Sequence, residues 1–414
     1  MASGPVLIFD KSFLQSLNPD EAVWLDHFFI TNITPLFFIE ALADLAKEIR
    51  RGRTPEQVVS NLAYKTPDMQ SSPNAHHQTL LAGELSGLYA VPLDWRLRRA
   101  GGTKVELDGK TGVIFHKTEE EEAFDRWRDG QFLDLERQIA SRWRRNLSGA
   151  DFTAIYNAFQ RYYPKGKPKE LSQVKAIAER IIDGADQEGS FVFGLSLLGH
   201  PADSRAVIVQ RYRNVGKPPL RDFAPYFRFL YSVELFFNLA IAADLISKER
   251  PSNKIDLAYL YYLPFCQIFT SSDNLHEKVV PLFLREDQSF VKGPELKADL
   301  HRLDEHYSEL PDSVKAEGLY HFAKDPPTEG DFLVSRLYDT HRLGWRKEKM
   351  ERKELPKHLQ DALLQMLNRI EKDSRSTDPR ERITIEESDF IGITRHVVPK
   401  KGKWVRIKPN AEKD

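Results

Sequence analysis

Val6-Leu7-Ile8-Phe9-Asp10, close to the start of the chain, is an apolar run closed by a carboxylate. Consecutive apolar side chains without alternation read as a strand buried on both faces, the pattern of a parallel sheet. The acid that ends the run falls at the strand's carboxyl end, the edge where ligands collect in such sheets. A second run, Cys266-Gln267-Ile268-Phe269-Thr270-Ser271-Ser272-Asp273, closes in the same way. Two strands that each deliver an aspartate predict a carboxylate cluster able to hold Mg²⁺ or Mn²⁺.

Outward from Asp10 the chain reads strand, helix, strand, helix. Asn18-Pro19 breaks a short helical turn and starts a helix through His27, with Asn18 as N-cap and Glu21 at the third position. Phe28–Ile33 is the second strand. Thr34-Pro35 then opens a helix, with Thr as cap and Pro at its first position. Further on, Lys104–His116 predicts a hairpin turning at Asp108-Gly109, and Glu119–Glu122 opens a helix expected to continue toward Trp143. Asp256–Leu263 reads as a helix ending before Pro264, and Leu275–Phe283 as another. Ile383–Lys408 has a β-rich composition.

Composition narrows the class. Lys and Arg number 60 against 61 Asp and Glu, so net charge argues neither for nor against nucleic acid. The single cysteine, Cys266, excludes an intramolecular disulfide and a cysteine-based zinc site. The most apolar long stretch, Phe223–Ile246, carries Arg228, Glu234, Asn238 and Asp244, which favours a buried helix over a membrane span. With no basic segment leading into a signal-peptide core at the start, a soluble, cytoplasmic protein is expected. There is no Walker phosphate loop and no His-Glu-x-x-His zinc motif.

Four acids stand out by context: Asp10 and Asp273 after strands, Glu40 on the helix after the second strand, and Asp256 opening the helix before the last strand. Carboxylates at close quarters repel, and a hard divalent cation with oxygen ligands relieves that repulsion. Such an ion can bind a phosphodiester and activate water. Each acid also has a purely structural reading. Asp10, Asp256 and Asp273 suit helix N-caps, and Glu40 could be held by an arginine. His276 is placed near enough to Asp273 to position water, and His76-His77 is expected in an exposed polar loop.

The ordered set resembles the PIN-domain nucleases: Asp10 after strand one, Glu40 after strand two, Asp256 on a helix, then a strand with Ser271-x-Asp273. The resemblance covers roughly residues 5–50 and 250–290. It implies an α/β fold: a PIN-like central parallel sheet with flanking helices. To this the chain adds a large, mostly α-helical insertion and a C-terminal α+β extension. The expected organisation is a discontinuous core at 1–50 and 251–290, the insertion at 51–250 and the extension at 291–414. The resemblance further implies a metal-dependent nuclease that hydrolyses phosphodiester bonds. Asp10, Glu40, Asp256 and Asp273 would be its catalytic and metal-binding residues, with Mg²⁺ or Mn²⁺ as cofactor.

The chain departs from the family in three ways. Lys11 intervenes between the first acid and the hydroxyl residue Ser12. Ser271 stands where threonine is frequent. Glu40 and Asp256 are 216 residues apart, far beyond the family's usual spacing, which is why an insertion is inferred. Lys11 is either a phosphate contact or the mark of a retired site. A catalytically inactive RNA- or protein-binding scaffold, and a flap-type DNA nuclease in repair or defence, are the competing expectations. RNA is favoured over DNA as partner, no membrane is expected, and a protein partner or homo-oligomer is left open. Lys11, Ser12, Ser271, Arg142, Arg144, Arg145, Arg211 and Arg213 are the candidate nucleic-acid contacts, because arginines among aromatics such as Trp143 and Tyr212 suit phosphate contact and base stacking.

Overall fold

The central sheet grows from β1 in both directions. In chain order the strands of the computed structural model are β1 (Val6–Phe9), β2 (Ile30–Ile33), β3 (Ser71–Pro73), the hairpin pair β4 (Thr103–Leu107) and β5 (Lys110–Ile114), β6 (Ile268–Ser271), β7 (Ser289–Lys292), and the short pair β8 (Lys400–Lys401) and β9 (Trp404–Val405). The structure describes residues 4–49, 52–99, 103–107, 110–114, 118–139, 142, 152–163, 166–250, 252–351 and 398–407. Five strands form one sheet in the order β3-β2-β1-β6-β7. Every neighbouring pair in it is parallel, with Leu7 opposite both Thr31 and Ile268. The sheet reaches past the expected core boundaries: β3 comes from the stretch assigned to the insertion, and the last residues of β7 from the extension. No apolar run marks β3. Ser-Ser-Pro is an edge strand, where proline is tolerated because one side of the strand lacks a ladder.

The faces of β1 alternate between two cores. Val6 and Ile8 pack with helices that include Leu171–Ile182, Gln187–Leu197 and Pro225–Ala242. Leu7 and Phe9 pack with helices Pro19–Phe28, Pro35–Ile49 and Gly293–Ser308. Both faces are covered, which explains the unbroken apolar runs of β1 and β6. Among the described residues, no helix is long and apolar enough to cross a membrane. Cys266 is buried and its thiol free.

Local signals act largely as read. Asn18 and Glu21 form the capping box of Pro19–Phe28. The β4–β5 hairpin is antiparallel, although its predicted turn at 108–109 lies outside the described residues. The helix opened by Glu119 ends earlier than expected, at Arg128, and Gly130 follows with φ +69°. Thr34 does not cap its helix by side chain; its hydroxyl is buried with no partner among the described residues. The helix of Asp256 begins at Asn253, so Asp256 sits in its first turn and is not its N-cap.

Helix Pro225–Ala242 starts after Ala224, which has no side chain to cap it. Glu84 supplies the acceptors from another element: its carboxylate takes the N–H groups of Tyr226 at 3.0 Å and Phe227 at 2.8 Å. Burial pushes the Glu84 carboxyl up to about 7, against the opposing pull of those two bonds. The folded protein therefore holds a proton here that the unfolded chain has released. Stability from this group is fully present below the ordinary carboxyl value of 4.5 and is lost as pH rises through about 7. Glu84→Gln keeps an acceptor and removes the titration. The fall in unfolding temperature between pH 5 and pH 8 is expected to be smaller in the variant than in the wild type.

The C-terminal hairpin docks by buried polar contacts. Trp404 Nε1 donates to Asp304 Oδ1 at 2.7 Å, sharing that oxygen with Trp24 Nε1 at 3.1 Å. Arg406 is fully buried and its Nη2 reaches Asp26 Oδ2 at 2.7 Å and the carboxylate of Asp68. Asp26 also accepts from the backbone N–H groups of Asp68 and Met69. Lys401, buried beside them, donates to Thr66 O at 2.9 Å.

Candidate active site at the switch point

The strand order reverses direction between β1 and β6. The chain winds outward through β2 and β3 on one side and through β7 on the other. In open parallel sheets this reversal opens a crevice beyond the carboxyl ends of the two central strands. Asp10 follows β1, and Ser271-Ser272-Asp273 closes β6. Register pairs Ile8 with Phe269, so Asp10 and Ser271 follow on the same face. That is the face covered by helices Leu171–Ile182, Gln187–Leu197 and Pro225–Ala242.

Asp10 is 4% exposed. Its Oδ1 caps helix Lys11–Ser16 by accepting from Phe13 N at 2.9 Å, and its Oδ2 accepts from Ser12 Oγ at 2.6 Å and Ser271 Oγ at 2.8 Å. The cap and the site placement thus coexist in one residue. Ser271 Oγ in turn accepts from Asp273 N at 2.9 Å and lies 2.7 Å from His276 Nδ1. His276, almost fully buried, has its Nδ1 3.9 Å from Asp10 Oδ2 and its Nε2 2.6 Å from the backbone oxygen of Asp256. A carbonyl can only accept, so Nε2 carries a hydrogen. Gly293, directly after β7, lets the next helix start against this turn; a Cβ there would lie 2.3 Å from Ser272 Oγ and 3.1 Å from the Ser271 carbonyl carbon.

Glu40 arrives from helix Pro35–Ile49 and is half-buried. It is met by Tyr259, whose hydroxyl donates to Glu40 Oε2 at 2.7 Å. Burial, and next the charge of Glu40, push the Tyr259 phenol well above its ordinary value, with Asp10 and Asp256 adding to the effect. Of the four candidate acids, Glu40 is the one whose contact with this hydroxyl is a hydrogen bond. Asp273 is half-buried and caps helix Asn274–Val279 through Leu275 N at 2.6 Å. Its neighbour Glu277 pairs with Lys292 at 2.5 Å.

The remaining candidates are dispersed. Lys11 is 3% exposed, set inside the rim instead of reaching into solvent. Arg142 is exposed, and Arg144 and Arg145 lie outside the described residues. Arg211 donates to the backbone oxygens of Glu84 at 3.3 Å and Leu85 at 3.1 Å and covers Phe223. Arg213 is held by Glu188. Both guanidinium groups are thus engaged within the protein. His76 and His77 are not a free loop: His76 caps helix His77–Ser86, and His77 N donates to Tyr262 Oη at 3.0 Å. Tyr259 escaped the sequence reading, although it stands one helical turn after Asp256, a spacing that puts two side chains on one face.

Among the described residues, no group of three or more His, Cys, Asp or Glu side chains converges into a ready metal cage. Mg²⁺ is commonly held by one or two carboxylates with retained waters, and the all-oxygen donors at this rim suit such an ion. The fold and rim define a class: a parallel α/β protein with an acid-lined switch point. A scan against protein-family models, a search of curated proteins and a search of solved structures each returned no match.

Proposed function

We propose that this protein is a metal-dependent nuclease that hydrolyses phosphodiester bonds, RNA favoured over DNA, with Asp10, Glu40, Asp256 and Asp273 holding Mg²⁺ or Mn²⁺. The observation that carries this reading is the placement of Asp10 and Asp273 beyond the carboxyl ends of β1 and β6, joined through the Ser271 hydroxyl, with Glu40 held by Tyr259, whose ring packs on His276 at the same rim. A bound divalent cation supplies Lewis-acid stabilisation of the phosphodiester and a more acidic water. The chain's part is to hold that ion at a defined place. Ser12, Ser271 and the backbone N–H of Phe13 orient Asp10 by three hydrogen bonds, leaving one lone-pair position on Oδ1 for an ion. The insertion helices, on the same face as Asp10, limit approach to the site, which suits single strands or a particular nucleic-acid structure.

A second reading has its own support: Asp10 and Asp273 both serve as helix caps, and Lys11 is buried beside the first of them. On that reading the protein is an inactive scaffold that binds RNA or protein. One assay separates the two. Single-stranded RNA and branched DNA are incubated with the full chain and Mn²⁺, with and without chelator. The nuclease reading expects cleavage that chelator abolishes and that Asp10→Asn and Asp273→Asn both lose; the preferred substrate decides between RNA and DNA. Binding without cleavage supports the scaffold. Cleavage that survives both substitutions overturns the four-acid assignment.

A further inference from the structure

The acids at the switch point come from distant parts of the chain, and two ring side chains tie them together. Tyr259 Oη reaches Glu40 Oε2 at 2.7 Å. His276 spans the rim from the Asp256 backbone oxygen, 2.6 Å from Nε2, to Ser271 Oγ, 2.7 Å from Nδ1, and Ser271 holds Asp10 Oδ2 at 2.8 Å and Asp273 N at 2.9 Å. The two rings meet edge to face, with centroids 5.8 Å apart. Asp256 and Tyr259 lie on one helical path, so fixing the Asp256 backbone also fixes Tyr259. Phe269, on the floor of the sheet, packs edge-on against His276 at 5.2 Å. Every rim element that carries an acid therefore has a bond to one of these two side chains or to the Ser271 hydroxyl between them.

We propose that Tyr259 and His276 are positioning residues: together they form a frame that ties the rim elements that carry Asp10, Glu40, Asp256 and Asp273 to one another, so that an arriving cation draws in side chains whose elements are already held. This rests on the metal-site reading above. Ligands on elements that are already held together bind an ion more tightly because the ion does not have to gather the elements, and outer contacts of this kind typically alter metal affinity about 10- to 100-fold. Neither residue needs to touch substrate to act in this way. The hydrogen-bond count also gives Ser271 a defined part. Its hydroxyl has one hydrogen and faces two acceptors, Asp10 Oδ2 and, where Nδ1 is unprotonated, His276. The hydroxyl can turn from the carboxylate to the imidazole when a cation takes over the Asp10 lone pair.

The test uses the full-length chain and Mn²⁺ alone as the probe. Unfolding temperature is followed against Mn²⁺ concentration for the wild type, Tyr259→Phe, His276→Leu and His276→Gln, because an ion that binds only the folded state raises it. Tyr259→Phe removes one oxygen and is the variant of choice if His276→Leu does not fold. The proposal expects Tyr259→Phe and His276→Leu to need about tenfold or more Mn²⁺ for half of the stabilisation. His276→Gln, which keeps a donor for the Asp256 oxygen, is expected to fall between Leu and the wild type. In cleavage assays the loss should fall on the Mn²⁺ concentration required more than on the rate at saturation, a split that a general loss of stability does not produce. If the folded variants follow the wild-type Mn²⁺ curve, the frame is refuted while the metal site stands. If the wild type itself shows no response to Mn²⁺, the metal-site reading fails and the frame with it.

Discussion

Asp10→Asn is expected to reduce Mn²⁺-dependent cleavage by on the order of 100-fold or more, with little change in the fold. The substitution suits the residue's two roles. Asparagine is as good an N-cap as aspartate, so Phe13 N keeps its acceptor and helix Lys11–Ser16 its start. Ser12 and Ser271 lose a charged acceptor, but their hydroxyls can accept from the new amide. What disappears is the negative charge at the end of β1. Asp10→Ala removes the cap as well and adds a stability cost of about 1 kcal/mol, which would blur the result. The measurement is cleavage rate against Mn²⁺ concentration, together with the Mn²⁺-dependent rise in unfolding temperature. Loss of both identifies Asp10 as an ion ligand. Retention of both leaves it a helix cap, and its assignment as an ion ligand falls.

Arg406→Met is expected to destabilise the protein by about 3–5 kcal/mol, the usual cost of removing one member of a buried ion pair. Arg406 and Asp26 are both fully buried, and Asp68 nearly so. Burial works against the Asp68 charge, yet Lys401 and Arg406 outweigh it and hold that carboxyl below its ordinary value. Without the guanidinium, two buried carboxylates face each other with Lys401 as the remaining cation. Nothing in the substitution touches the switch point, so the effect should be one of stability alone. Lys403→Met is the matched control from the same hairpin. Lys403 pairs with Asp304 at 2.6 Å but is about half exposed, and Asp304 keeps its bonds from Trp24 and Trp404. Its cost is expected to be within about 1 kcal/mol. Chemical denaturation of the two variants beside the wild type checks the contrast, and equal effects would show that the buried network does not anchor the C-terminal segment.

Much of this architecture is legible in local sequence. The apolar runs of β1 and β6, the Asn18 capping box and the buried character of 225–242 follow from short-range chemistry: side-chain burial, cap hydrogen bonds and proline geometry. The failures are equally local in cause. Ser71-Ser72-Pro73 carries no apolar signal because an edge strand needs little of it. Thr34 looks like a cap, yet only its backbone oxygen is used, by Phe37 N at 3.0 Å. Arg211 looks like a phosphate contact, but the carbonyl oxygens at the end of helix His77–Ser86 draw its guanidinium inward. These outcomes depend on which neighbour arrives from elsewhere in the chain.

The same division governs Asp10. That a carboxylate ends the first strand and caps the next helix is determined by the sequence, because both roles involve residues within three positions of it. That the carboxylate sits at a reversal of the strand order and shares the Ser271 hydroxyl with His276, whose ring packs on Tyr259, the partner of Glu40, is decided only by tertiary structure. Those residues lie up to 266 positions away, and what brings them together is the parallel pairing of β1 with β6 under helices supplied by the chain between them. Strand pairing over that distance follows from the packing of both sheet faces, a property of the whole chain that no short stretch encodes.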